Sequence, residues 1–197
     1  MTQWPLIADP SIMTEGKTEI LGRSRGDMRI VIATLIGAFV LLSGFQPLSA
    51  QGAKFVERFA DWSTYDAVSE ANQKLCFAVS KPKDLEPKNV KRGDIYFYVS
   101  SWPKDGVANE VSVKIGYDFA KDSTSKVSIG SDVFELFTDG DKAFVESPAQ
   151  ERRLVAAMRR GSKMLVRGRS VRGTSTTDVY SLSGITAALK KLEQICR

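Results

Sequence analysis

Alternation is the dominant pattern along this chain. From Lys74 to Leu182 short strand-like runs recur, either rich in β-branched and aromatic residues or alternating apolar and polar side chains at every second position. Upstream, Phe55 to Tyr65 (FVERFADWSTY) also carries short alternating apolar positions. Lys74 to Ser80 (KLCFAVS) and Asp94 to Ser101 (DIYFYVSS) predict strands rich in β-branched and aromatic residues. The Pro- and Lys-rich stretch between them, Lys81 to Gly93, predicts a loop. After a turn at Pro103 to Gly106, Val107 to Phe119 places Val111, Val113 and Ile115 on one face, with Ser112 and Lys114 on the other. Val127 to Ile129, Val133 to Thr138 and Lys142 to Glu146 follow as short strands, with turn signals at Gly130-Ser131 and Asp139-Gly140. Lys163 to Ser170 and Thr176 to Leu182 complete the set.

Two segments break the alternation. Ser147-Pro148-Ala149-Gln150 combines an N-cap serine, a proline at the first helical position and a glutamine at the third, the composition of a capping box. A helix is expected from there to about Arg160, with Gly161 ending it and Leu154, Val155 and Met158 buried. Ile185, Ala188, Leu189, Leu192 and Ile195 recur at helical spacing and predict a second helix reaching Cys196. About eight strands with two segregated helices imply a mainly β fold, an antiparallel β-sandwich or closed sheet. Residues 51–197 are expected to form its single domain.

A different pattern marks the N-terminal region. Ile30 to Leu42 (IVIATLIGAFVLL) is an apolar run of about 13 residues behind Arg29. That suits the core of an export signal, ~7–15 residues, better than a membrane span of ~20. Ser49-Ala50 offers small residues for cleavage after Ala50. Residues 28–50 are therefore read as a signal peptide starting at Met28. Residues 1–27 are read as a poorly ordered or mis-annotated extension. The alternative is a long leader with Arg23, Arg25 and Arg29 on the cytoplasmic side. The expected destination is the periplasm or the medium, with membrane contact only through the signal segment.

Composition narrows the chemistry. The chain carries a net charge of +5, no histidine, and only two cysteines, Cys76 and Cys196. Four bases and four acids fall within residues 1–50, so residues 51–197 keep the whole positive charge. In an oxidising compartment an even cysteine count implies a bridge, and two cysteines leave one intramolecular pairing, Cys76–Cys196. It would staple the C-terminal helix to an early strand. Two isolated thiols without histidine make no ordinary zinc site, and no C-x-x-C pair is present. A Ser-His-Asp triad is excluded for want of histidine. Phosphate loops and dinucleotide fingerprints are absent, so no cofactor and no specific nucleic acid are expected. Acids are scattered without a distinguished pair.

What remains is a basic run. Arg152, Arg153, Arg159, Arg160, Lys163, Arg167, Arg169 and Arg172 occur with no acid among residues 152–172. If the helix and the next strand are neighbours, Arg159, Arg160, Lys163, Arg167, Arg169 and Arg172 form an anion-binding patch suited to anionic polymers or head groups. The other reading is a set of solvated faces, partly paired with acids such as Glu146 and Glu151. Arg172-Gly173-Thr174 reads as a tight turn with glycine at positive φ, Asp178 and Tyr180 as same-face strand residues bonding a loop, and Tyr96-Phe97-Tyr98 with Trp102 as sheet core.

The segment Arg153 to Cys196 resembles the invasion-associated locus B family of exported alphaproteobacterial proteins. The resemblance rests on Met158-Arg159-Arg160-Gly161, Gly168-Arg169-Ser170, Arg172-Gly173-Thr174, Asp178 to Leu182, and a helix ending in Cys196. Asp61-Trp62, Cys76, and Asn109 to Ser112 with Gly116-Tyr117 extend it to roughly residues 55–197. Many members carry a cysteine shortly after that tryptophan; here Ser63-Thr64-Tyr65-Asp66 has none, so a second bridge is lacking. The resemblance implies an exported, non-enzymatic protein that binds at the cell envelope or a host surface. Two alternatives stay open: a structural or stress-related periplasmic protein touching anionic envelope components, and an enzyme of unrecognised type.

Overall fold

The computed structural model describes residues 52–69 and 71–197. The signal segment expected over 28–50 and the extension 1–27 lie outside the described residues. The first half of the domain contains β1 (Lys54–Phe59), β2 (Trp62–Val68), β3 (Lys74–Ser80), β4 (Asp84–Glu86), β5 (Tyr96–Trp102) and β6 (Val107–Lys114). The second contains β7 (Thr124–Ile129), β8 (Asp132–Asp139), β9 (Lys142–Phe144), α1 (Pro148–Arg160), β10 (Lys163–Arg169), β11 (Ser175–Ser181) and α2 (Ile185–Ile195).

The described residues thus hold eleven strands rather than about eight. The FVERFADWSTY stretch is a hairpin, turning at Ala60-Asp61 with Ala60 in the left-handed region at φ 50°. The expected loop 81–93 contains β4, held by pairing with β11 from Thr177 to Val179. All strands join one antiparallel sheet in the order β1-β2-β3-β5-β6-β9-β8-β7-β10-β11-β4. The sheet does not close, because β1 and β4 remain its two edges. It curls until its halves face each other, as in a sandwich. Phe97 of β5 meets Tyr180 of β11 at 5.7 Å between ring centroids, and the Trp62 indole donates to the Ser181 carbonyl at 3.1 Å.

The alternation expected of β6 holds: Val111, Val113 and Ile115 face the interior, with Trp62, Phe97, Leu136, Met164 and Tyr180 among their partners in one core. Burying each such side chain contributes on the order of 1.5–3 kcal/mol. A second cluster on the opposite face of β2, β3 and β5 gathers Leu75, Phe77, Tyr96, Tyr98 and Trp102, so the aromatic strand is core as expected.

The helices close the fold. Along α1, Leu154, Val155 and Met158 are buried as the spacing predicts. Ser147 accepts from the Gln150 amide at 3.3 Å, but the reciprocal half of the capping box does not form. Instead the Gln150 side chain donates to the Glu135 carbonyl of β8 at 2.8 Å, and Glu151 accepts from the Val111 amide of β6 at 2.6 Å. Strand β9 is only three residues long and covers β6 just from Ser112 to Lys114. The first turn of α1 therefore satisfies backbone groups that a longer β9 would have paired.

Helix α2 lies across β1, β2 and β3. It starts at Gly184, whose φ of 92° and contact with the Phe59 carbonyl leave no room for a Cβ. At its far end Cys196 is bonded to Cys76 on β3, with 5.7 Å between Cα atoms and a sequence separation of 120. The neighbouring Lys74 ammonium donates to the Ile195 carbonyl at 2.6 Å, a cation at the negative end of the helix.

Candidate anion-binding face

Strand β10 carries the basic residues in a single file. Its even positions, Met164, Val166 and Gly168, are buried, while Lys163, Arg167 and Arg169 are exposed on the other side with half-buried Leu165 among them. Same-face residues repeat every ~6.7 Å along a strand, so the file from Lys163 to Arg169 runs roughly 20 Å. Arg172 extends it into the β10–β11 turn, where Gly173 has φ 83° and donates its amide to the Ser170 carbonyl at 2.8 Å. That turn is the one expected from Arg172-Gly173-Thr174.

The neighbouring strands frame this line. On β11, Ser181, Val179, Thr177 and Ser175 lie opposite Lys163, Leu165, Arg167 and Arg169, adding no charge. On β7, Lys126 stands opposite Arg167 and Ser128 opposite Leu165. Arg167 donates to the Ser128 hydroxyl at 3.2 Å, and Lys126 reaches Glu135 of β8 at 3.1 Å. Acids appear only further out: Glu135 on one side, and Asp84 and Glu86 of the edge strand β4 on the other. Val133 and Phe137, both exposed on β8, add apolar surface.

The six residues of the expected patch do not all converge. Lys163, Arg167 and Arg169 share one face, with Arg172 at its end. Arg160 lies beside Lys163 at a cleft where α1 meets the β7–β8 hairpin. Arg159 points elsewhere, to Glu193 of α2 at 3.1 Å. The acids that answer the run are Glu193 and, at 3.8 Å from Arg160, Asp132. Glu151 is instead committed to the β6 backbone. Lys126 joins the patch without having been expected, because only the register of β7 against β10 brings it there.

Two further polar groupings lie inside the fold. Asp178, fully buried on β11, is held by both terminal nitrogens of Arg92 at 2.5 and 2.7 Å, and Arg92 also donates to the Ile115 carbonyl. This is the loop bond expected of Asp178, with Arg92 of the loop 81–93 as its partner; Tyr180, expected to bond a loop as well, instead buries its hydroxyl in the core with no hydrogen-bond partner. Burial pushes the Asp178 carboxyl above the ordinary range, and the bonds from Arg92 oppose that. The Arg92 guanidinium also covers the Tyr117 ring at 5.0 Å, and the Tyr117 hydroxyl meets the Thr176 hydroxyl at 2.7 Å. The second grouping is Glu110, 8% exposed on β6. Burial first, and then the charge of Glu151, raise its carboxyl from 4.5 to about 7, against a bond from the Trp102 indole. Burial also raises Glu151. The identities of Arg92 and Glu151 as partners of Asp178 and Glu110 were not legible, since each is remote in sequence.

Among the described residues no cluster of three or more metal-ligating side chains occurs, and no helix is long and apolar enough to cross a membrane. Fold and surface together define a class: a mainly antiparallel β domain locked by one disulfide, with its charge displayed along a strand. The family model described as "Invasion associated locus B (IalB) protein" matches residues 62–193, and the chain belongs to that family. Searches of curated proteins and of solved structures return no match.

Proposed function

We propose that this protein is exported to the periplasm or the medium and acts by binding, without catalysis, to an anionic component of the cell envelope or of a host surface. The observation that carries the reading is the file of Lys163, Arg167 and Arg169 along the outward face of β10, reinforced by Lys126. Three exposed cations along β10, with Lys126 beside them on β7 in an ion pair with Glu135, attract polyanions, and the attraction weakens as salt screens it. Export is supported by the apolar run Ile30 to Leu42 behind Arg29, and by the Cys76–Cys196 bridge, which suits an oxidising compartment.

Two measurements test this. On immobilised heparin the purified protein is expected to be retained at low salt and released by a salt gradient. The Lys163→Gln, Arg167→Gln, Arg169→Gln triple variant is expected to elute markedly earlier. Equal elution of the two proteins would remove the face from the function. Cell fractionation with intact mass, taken with and without reductant, tests location: a species beginning at Gln51 outside the cytoplasm is expected. An uncleaved cytoplasmic species would refute export.

A further inference from the structure

We propose that the cleft between the end of α1 and the β7–β8 hairpin binds one acidic sugar unit of a linear anionic polysaccharide, whose following units lie along β10. The inference rests on the anion-binding reading above and names its ligand. The cleft holds about 550 Å³, within the range of small-molecule sites. Its lining has the chemistry of such a unit: Arg160 and Lys163 for a carboxylate or sulfate, the hydroxyls of Ser128, Ser131 and Ser162 for sugar hydroxyls, and Leu165 for the apolar face of the ring. Asp132 is the acid there, 3.8 Å from Arg160, and leaves an excess of positive charge.

The floor is firm. A Cβ on Gly161 would lie 2.5 Å from Ile129 Cγ2 and 2.9 Å from Leu182 Cδ1, so the helix end sits directly on the hairpin. Cleft and strand are continuous, because Lys163 belongs to both and Ser128, at the cleft wall, accepts from Arg167. The shape of the charge selects a thread over a plane. Glu135 lies on one side of the basic line and Asp84 and Glu86 on the other, all on strands of the same sheet. A flat anionic bilayer pressed on this face would meet Glu86 and the ion-paired Glu135 and Asp84 together with the cations, which dilutes the positive charge it sees. A single polymer lying along β10 passes between those carboxylates and meets an acid only at Asp132 in the cleft, where Arg160 and Lys163 outnumber it.

The test is titration of the protein with a heparin-derived tetrasaccharide, mapped by backbone amide shifts, with mixed phosphatidylcholine–phosphatidylglycerol vesicles in parallel. Binding is expected with shifts centred on Gly130, Ser131, Gly161 and Ser162. The Arg160→Gln, Lys163→Gln double variant should lose at least about tenfold in affinity, the scale of one charge-assisted hydrogen bond. Ser131→Glu, which sets a carboxylate in the cleft from an exposed turn, should reproduce the loss. Shifts confined to the β10–β11 turn and indifferent to these variants would overturn the cleft while leaving the face as an anion binder. Vesicle binding without tetrasaccharide binding would overturn it in favour of a lipid surface. Failure to bind tetrasaccharide, vesicles and long heparin alike would refute both readings.

Discussion

Replacing Glu110 by glutamine should flatten the pH dependence of this protein's stability. In the folded state the carboxyl is shifted from 4.5 to about 7, chiefly by burial and then by the charge of Glu151. Between those values the native state keeps a proton that the unfolded chain releases. The stabilisation tied to that proton is complete below about pH 4.5 and is lost as pH rises through about 7. At about 1.4 kcal/mol for each pH unit of displacement, the whole shift corresponds to about 3 kcal/mol, and the interval from pH 5 to pH 8 to about 2–3 kcal/mol. Glutamine keeps the shape and the acceptor for the Trp102 indole but has no charge to bury. Urea denaturation followed by tryptophan fluorescence at pH 5 and pH 8 measures the effect. The advantage of Glu110→Gln over the parent should grow by about 2–3 kcal/mol across that interval. Glu151→Gln should reduce part of the parent's slope, because it removes the neighbouring charge. If parent and Glu110→Gln move in parallel with pH, burial does not perturb Glu110, and the reasoning fails.

Three other outcomes follow from the packing. Asp178→Ala strands the buried Arg92 guanidinium and should cost about 3–5 kcal/mol in chemical denaturation, whereas a neutral result would mean that water reaches the pair. Reducing Cys76–Cys196 frees a loop of about 120 residues and should destabilise the domain by up to about 5 kcal/mol in the chain-entropy picture; two titratable thiols in the unreduced, denatured protein would contradict the bridge itself. Gly184→Ala forces a side chain into left-handed backbone and against the Phe59 carbonyl, so it should lower stability by at least about 1 kcal/mol, read from the thermal midpoint.

Local rules made part of this molecule legible. The inward face of β6, the serine cap and buried stripe of α1, the turn at Gly173 and the single cysteine pairing all follow from neighbours within a few residues or from elimination. What escaped reading depends on remote partners. Asp84-Leu85-Glu86 has no strand signature of its own and becomes β4 only by pairing with β11. Gln150 carries the composition of a capping box, yet its side chain serves Glu135 because α1 docks in the gap beside β9. The same holds at the candidate site. The basic run from Arg152 to Arg172 was visible, while the gathering of Lys163, Arg167 and Arg169 on one face, the contribution of Lys126 and the departure of Arg159 toward Glu193 required the strand register and the helix packing.

The position of the crosslink also bears on when the protein can become locked. Every strand and both helices precede Cys196 in the chain, and its partner Cys76 lies on β3. During vectorial synthesis or translocation, most of the sheet can assemble while Cys76 still waits, as a free thiol, for a residue that has not yet emerged. Oxidation then acts as a completion signal: only a molecule that has delivered α2 across β1, β2 and β3 can be sealed. A chain interrupted before that point would retain an unpaired Cys76 thiol and leave uncovered the faces of β1, β2 and β3 on which α2 packs.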